Sequence, residues 1–542
     1  MNCTPLAALV SVMLLTACSP QGAGHGDAPA PAATQMKAQF DAPATPVTGQ
    51  LGLDGRTLDE TDPWYQQGQD KVAQLQALTP ITERARNVVL FVGDGMSVTT
   101  ITAARILAGQ LQGENGEGHM LSFDEFPYTA MVKTYNTDAQ VPDSAGTMSA
   151  IVTGVKTRAG VLSVSEQVAR RDCASFGEHR LMTNMMMAAQ AGMATGVVTN
   201  TRITHATPAA TYAWSPDRNY ESDGDITNWG KQVGCVDIAT QLVEFDYGRG
   251  LDVAFGGGRQ QFLPKEQADP IYPGVTGKRK DGRDLTQVWQ QRHADSIYVD
   301  SLLAMEALPA DGKTQALGLF APSHNAYRVD RLASESERSI QPSLEAMTSK
   351  ALELLQARDA QDGQGFMLVV ESGRIDHGHH AGNAHRALHE VIELDEAVAA
   401  VMAAVGEDTL VLVTADHSHT LSMAGYSAIG NPILGLAGRP TEDGGHEPML
   451  DGEQQPFTTL AYANGPGANY PTASLTQESV MAPDYRQRAV TPMDSETHAG
   501  EDVILHAVGP GAQLARGTLE QNVIFHIIDQ ALGLSERVAA MP

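Results

Sequence analysis

Positive charge is what this chain has least of: 36 Lys and Arg stand against 64 Asp and Glu, a formal net charge of −28 over 542 residues. Binding to a phosphate backbone needs stripes of Lys and Arg, so nucleic acid is excluded as a partner class. The acidity suits a protein kept in solution by its own charge. Long apolar runs are missing as well. The N-terminal apolar stretch Pro5–Leu15 is far shorter than the roughly 20 residues a spanning helix needs. Internal repeats are absent. Cysteine is scarce, with four in all, and Cys3 and Cys18 fall in the leader. The remaining two, Cys173 and Cys235, are an even number. A bridge between them would constrain the unfolded chain by roughly 4 kcal/mol. Two buried free thiols are the alternative, and an exported chain favours the bridge.

Export follows from the leader. Leu15-Thr16-Ala17-Cys18 resembles a bacterial lipoprotein signal, in which Cys18 becomes the acylated first residue, although no Lys or Arg precedes the apolar stretch. This predicts a signal peptide over 1–17 and a protein exported to the periplasm or cell surface, its only membrane link a lipid on Cys18. Ordinary cleavage with release, and a retained anchor, are the alternatives. Residues 18–50 are rich in Pro, Ala and Gly with little to bury, and are expected to form a disordered tether with a reach on the order of 30 Å. Residues 51–85 are expected to form a helical arm, with the helix over Asp62–Leu78, and 86–542 one large domain.

Within that domain, short apolar runs at Asn87–Val92, Thr195–Thr199, Phe366–Val370 and Thr409–Thr414 alternate with helical segments such as Ser343–Ala357 and Ala384–Val401. The alternation predicts an α/β fold, a mostly parallel central sheet flanked by helices. The stretch 423–488 is long, rich in Gly and Pro, and without strong periodicity, and is expected to be an insertion on the ligand-binding side.

Polar groups recur where these strands end. Asp94 follows the first run, His205 and Thr207 come shortly after the second, Glu371 follows the third, and Asp416 and His417 follow the fourth. Open α/β sheets bind ligands at that edge. The richest segment is Glu371-Ser372-Gly373-Arg374-Ile375-Asp376-His377-Gly378-His379-His380, in which Asp376 and His380 are spaced to share a helix face as zinc ligands. Alone, it could equally be a polar loop entering an exposed helix. Ser144, in Val141-Pro142-Asp143-Ser144-Ala145-Gly146-Thr147-Met148, would sit in the first turn of a helix running to Val152, where the helix dipole favours an anion. Its alternative is an N-cap. No Gly-x-Ser-x-Gly elbow surrounds it, so activation by a bound cation replaces a Ser–His–Asp triad. Asp94, Glu371, Asp376 and Asp416 would bring four negative charges into one pocket, intolerable without cations. Three divalent ions and Arg218 would leave a positive surplus suited to a phosphomonoester dianion. Arg218 alone could be a surface ion pair.

At these residues the chain resembles the alkaline phosphatases, nearer the vertebrate enzymes and their marine bacterial relatives than the enteric bacterial type. The motifs that carry it include Phe91-Val92-Gly93-Asp94-Gly95-Met96, Asp143-Ser144-Ala145, His205-Ala206-Thr207-Pro208-Ala209, Gly256-Gly257-Gly258-Arg259, the decapeptide, Thr414-Ala415-Asp416-His417-Ser418-His419 and Glu496-Thr497-His498-Ala499-Gly500. The resemblance implies one zinc on Asp376, His380 and His498, a second on Asp94, Asp416 and His417 with Ser144 bound to it, and magnesium on Asp94, Thr207 and Glu371. Arg218 would hold the phosphoryl oxygens. Ser144 would attack phosphorus, and water would then hydrolyse the phosphoserine, releasing inorganic phosphate from small phosphate monoesters. His205 and His377 stand where the enteric type has Asp and Lys, which implies that His205 orients magnesium's waters and that magnesium is held more weakly. His379 and His419 are expected to pack around the site without ligating. The calcium-site carboxylates of vertebrate members are here Ile271 and Ala321, which argues against a calcium ion. The stretch 423–488 would be a crown-type subdomain, and the N-terminal arm implies a homodimer. A phosphodiesterase of the same superfamily is the nearest rival. A sulfatase is poorly supported, because Cys173 is followed by Ala174-Ser175-Phe176 where a Cys-x-Pro-x-Arg motif is needed. A non-catalytic surface lipoprotein that sequesters zinc or phosphate is the rival from another class.

Overall fold

The computed structural model describes residues 61–442, 446–469 and 475–541; the expected signal peptide, Cys18, the expected tether and the start of the expected arm lie outside the described residues. The chain divides into two compact units, 1–73 and 74–542. Helix Pro63–Ala77, close to the expected Asp62–Leu78, buries none of its residues.

The second unit is built on a sheet of ten strands. In chain order its first eight are β1 (Asn87–Gly93), β2 (Tyr128–Lys133), β3 (Ala194–Arg202), β4 (Val253–Gly257), β5 (Ser296–Val299), β6 (Gln315–Leu319), β7 (Phe366–Ser372) and β8 (Thr409–Thr414). The order from edge to edge is Gly517–Glu520, β2, Val503–Val508, β8, β1, β7, β3, β4, β6, β5. Val503–Val508 runs antiparallel to both its neighbours, and the other pairings are parallel. The central strands β1, β7 and β8 are buried along their whole length, which is why they read as unbroken apolar runs. Helices Leu344–Asp362 and Ala384–Ala404 each start on a side-chain cap, Ser343 and Asn383. Their apolar faces, with Leu352, Leu355, Leu388 and Val391, join the strands in one continuous core.

Between 421 and 492, short strands form a three-stranded and a two-stranded sheet that do not pair with the central one. Leu421, Leu460 and Tyr462 nonetheless belong to the main core. Cys173 and Cys235 are joined in a disulfide, which settles the choice left open between a bridge and two thiols. The bridge sits in a satellite cluster with Val161, Phe176 and Tyr220, two residues beyond Arg218. Among the described residues no helix is long and apolar enough to cross a membrane.

Candidate active site and metal centre

Parallel pairing in register brings four strand ends to one level. Val92 lies opposite both Glu371 and Thr414, and Thr199 lies opposite Glu371. Asp94 and Asp416 therefore emerge side by side, and β7 passes after one residue into helix Arg374–His380. The turn after β1 needs glycine: Gly95 has φ +71°, and a Cβ there would come within 2.4 Å of the His419 ring. Its N–H donates to Asp416 Oδ1 at 3.1 Å.

Three groups of possible ligands result. In the first, His417 Nε2 lies 3.3 Å from Asp94 Oδ1 and 3.5 Å from Asp416 Oδ2, and 3.0 Å from Ser144 Oγ. In the second, Asp376 Oδ1 lies 3.2 Å from His380 Nε2 and 3.3 Å from His498 Nε2, and those two nitrogens are 3.2 Å apart. The i,i+4 spacing thus places Asp376 and His380 together as the sequence predicts. In the third, Thr207 Oγ1 donates to Asp94 Oδ2 at 3.0 Å, and Asp94, His205 and Glu371 offer atoms close enough to share one ion.

The electrostatics call for cations. Asp94, Glu371, Asp376 and Asp416 are all buried. Burial, then the neighbouring Asp416, Asp376 and Glu371, pushes Asp94 well above the ordinary carboxylate range. Burial raises Glu371 to about 7, and raises Asp416 as well. Asp94 Oδ1 and Glu371 Oε1 are buried without a hydrogen-bond partner. Buried carboxylate oxygens left open in this way, beside imidazole nitrogens, form a donor set that fits divalent metal ions. Asp376 runs the other way: burial pulls it up, but His380, His419 and His498 more than offset that and hold it well below its usual range.

Ser144 is the first residue of helix Ser144–Thr153. The N-cap is Asp143, whose Oδ1 accepts from Gly146 N at 3.1 Å, so the capping alternative for Ser144 is overturned and its hydroxyl is free to face His417. Asp143 also receives Arg218 Nη1 on Oδ2 at 3.1 Å, while Arg218 Nη2 meets His205 Nε2 at 3.2 Å. Arg218 is therefore in an ion pair, but one that aims it into the site. Ser144, Arg218, His205, His377, Asp376, His380 and His498 line one cavity of ≈ 320 Å³.

Residues 85–534 match the alkaline phosphatase family profile. The chain belongs to the alkaline phosphatase family. It is 43% identical to the tissue-nonspecific alkaline phosphatase of Gallus gallus over 488 residues, covering 87% of this chain and 90% of that protein. The Gadus morhua alkaline phosphatase is 41% identical over 86% of this chain and 95% of its own length. Among solved structures, the Thermus thermophilus alkaline phosphatase superposes with a TM-score of 0.59 at 24% identity, covering 85% of this chain and 94% of that one. The enzyme from the Antarctic bacterium TAB5 gives 0.55 at 21%, covering 83% and 99%. These two bear on the fold, and the vertebrate relatives carry the family assignment.

Several alkaline phosphatase contacts in this chain were not legible as roles in the sequence. Thr199 and Thr201 both donate to Glu371 Oε2, the latter at 3.0 Å. His419 bridges two carboxylates, Asp376 Oδ1 at 2.7 Å and Glu496 Oε2 at 2.5 Å. Against the downward pull of burial, Glu496 and Asp376 hold its imidazolium up to about 10. His419 thus holds Asp376 in place and also lies within ligand reach of Asp376, His417 and His498, while His379 hydrogen-bonds Tyr462 at 2.8 Å. His377 meets Arg374 at 3.0 Å and packs edge-on to His324, ring centres 4.2 Å apart.

Proposed function

We propose that this alkaline phosphatase hydrolyses phosphate monoesters through a phosphoserine on Ser144, with two zinc ions and one magnesium ion. One zinc would be held by Asp376, His380 and His498, the second by Asp94, Asp416 and His417, and magnesium by Asp94, Thr207 and Glu371. The observation that carries this reading is Ser144 Oγ, 3.0 Å from His417 Nε2 and in the same cavity as Arg218. Bound ions of this kind lower the pKa of coordinated oxygens and stabilise charge on entering and leaving oxygens.

The chain's own groups do the positioning. Arg218, steadied by Asp143, presents its guanidinium fork to two phosphoryl oxygens. The N-terminus of helix Ser144–Thr153 favours negative charge on Ser144 Oγ. Oγ gives up its proton and attacks phosphorus, the bond from phosphorus to the alcohol oxygen breaks, and the alcohol leaves having taken up one proton in exchange. Water then attacks the phosphoserine, the Oγ–phosphorus bond breaks, one proton of that water returns to Oγ, and inorganic phosphate departs. A diester has one fewer free oxygen for Arg218. Turnover of p-nitrophenyl phosphate is therefore expected to exceed that of bis(p-nitrophenyl) phosphate by orders of magnitude. Equal or faster diester cleavage would favour the phosphodiesterase alternative.

His205 supports a weakly held magnesium, since its Nδ1 is buried without a partner and its imidazole brings no negative charge. His205→Asp is expected to lower the magnesium concentration for half-maximal activity by ~10-fold or more. An unchanged magnesium dependence would remove His205 from that role.

The lipoprotein-type leader supports attachment through Cys18 and a periplasmic or cell-surface location, and the Cys173–Cys235 disulfide agrees with an oxidising compartment. Helix Pro63–Ala77 leaves Trp64, Val72 and Leu75 exposed, which supports a homodimer gripped by that arm.

A further inference from the structure

We propose, on the reading of Asp376 and His380 as ligands of one zinc, that Asn200 is a positioning residue for the helix that carries them, with the buried carboxyl of Glu390 holding Asn200 in turn. Helix Arg374–His380 has seven residues, too few to keep its shape and direction unaided. Its N-cap is Gly373, which has no side chain to offer, so the N–H groups of its first turn need an acceptor from elsewhere. Asn200 Oδ1 supplies one, accepting from Arg374 N at 3.1 Å. The Nδ2 of the same amide donates to Glu390 Oε2 at 2.9 Å. An N–H on one side and a carboxyl oxygen on the other fix which way the amide points, since its oxygen only accepts and its nitrogen only donates. At the far end of the helix His380 Nδ1 meets Glu496 O at 2.6 Å. The helix is therefore pinned at both ends, with Asp376 Oδ1 held 3.3 Å from His498 Nε2.

Strand alternation gives the position its reach. Thr199 and Thr201 on β3 both donate to Glu371, so Asn200 between them faces the other way. Three consecutive residues thus hold Glu371 on one face of the strand and the start of the helix on the other. Glu390 is wholly buried on helix Ala384–Ala404. Its second oxygen accepts from Arg328 N at 2.5 Å, and its backbone oxygen accepts from Ser372 Oγ at 3.2 Å. Burial, then Glu393, pushes its carboxyl up to about 8, against the pull of Arg328 N–H and the guanidiniums of Arg374 and Arg331. A carboxyl at that depth is unfavourable unless its bonds are needed, and the bond it makes toward the site is the one to Asn200.

The test uses the full chain loaded with zinc and magnesium, stripped by graded chelator and read by metal analysis, beside the Tm of the metal-free protein. Asn200→Leu keeps the volume and removes both bonds. It is expected to weaken one zinc by about 10–100-fold and to leave the other at the parent's affinity. Asn200→Asp is the conservative variant, because the new carboxyl and Glu390 can share a proton and so keep both bonds; Glu393, Arg328, Arg331 and Arg374 are the other charges acting on Glu390. Its zinc affinity should stay near the parent's at pH 6 and fall ~10-fold below it by pH 9, as that proton leaves and two like charges face each other. Parent zinc affinity in Asn200→Leu, with only the Tm lowered, overturns the proposal and leaves Asn200 a packing residue. Equal weakening of both zincs also overturns it, because the fold would then have loosened as a whole. A parent that holds no zinc overturns the ligand reading itself, and the proposal with it.

Discussion

Ser144→Ala is expected to lower kcat for p-nitrophenyl phosphate by ~10³-fold or more, a loss of at least about 4 kcal/mol of transition-state stabilisation. The substitution removes one oxygen and little else. The helix keeps its N-cap, because Asp143, not Ser144, accepts from Gly146. Arg218 keeps its bond to Asp143, and Pro142 O still accepts from His498 Nδ1 at 2.8 Å. Substrate would therefore still be gripped, and the loss should fall on kcat more than on KM. Water would have to attack the ester directly, without a covalent intermediate to divide the reaction. Acid quenching with radiolabelled phosphate should trap a phosphoenzyme in the parent and none in the variant. Turnover within tenfold of the parent, or a phosphoenzyme that survives, would remove Ser144 as the nucleophile.

How much of this was readable beforehand depended on the range of the interaction. The central strands announced themselves because burial on both faces demands unbroken apolar residues, and each was found within a few residues of its expected bounds. The strands β4, β5 and β6 are four or five residues long and lie toward one edge, too short to show a pattern. Helix Leu344–Asp362 runs past its expected end at Ala357, carried by an Arg358–Asp362 pair to a left-handed Gly363, a stop signal that was present in the sequence. Asp376 and His380 were legible because a helix converts their spacing into proximity. Ser144 meeting His417, Thr199 meeting Glu371 and His419 joining Asp376 to Glu496 depend on strand order instead, and no local pattern encodes them. Asp143 and Ser144 are both good caps, so sequence could not say which residue would take that role and which would be free.

The same buried carboxylates make metal removal a test with a sign. Chelation is expected to abolish turnover, with activity returning on zinc plus magnesium, and to make the metal-free protein less stable as pH rises. Glu371, at about 7 in the fold, retains a proton that the unfolded chain would release near its ordinary value of 4.5. The stability it contributes is fully present below that ordinary value and is lost as pH climbs through 7, about 3 kcal/mol in all. Asp94 and Asp416, raised mainly by burial, act in the same direction. Asp376, held well below its ordinary 3.8, contributes stability that is lost only as pH falls through its depressed value, so it is constant over this window. Bound metal reverses the trend, because protons compete with the ions for these oxygens and leave as pH increases. The gap in Tm between loaded and chelated protein should therefore widen steadily from pH 5 to pH 8 in differential scanning calorimetry. A gap that stays constant or narrows would mean that these carboxylates are already ionised in the metal-free fold. Those carboxylates would then attract the cations without first giving up protons, and metal affinity would change little over the same pH range.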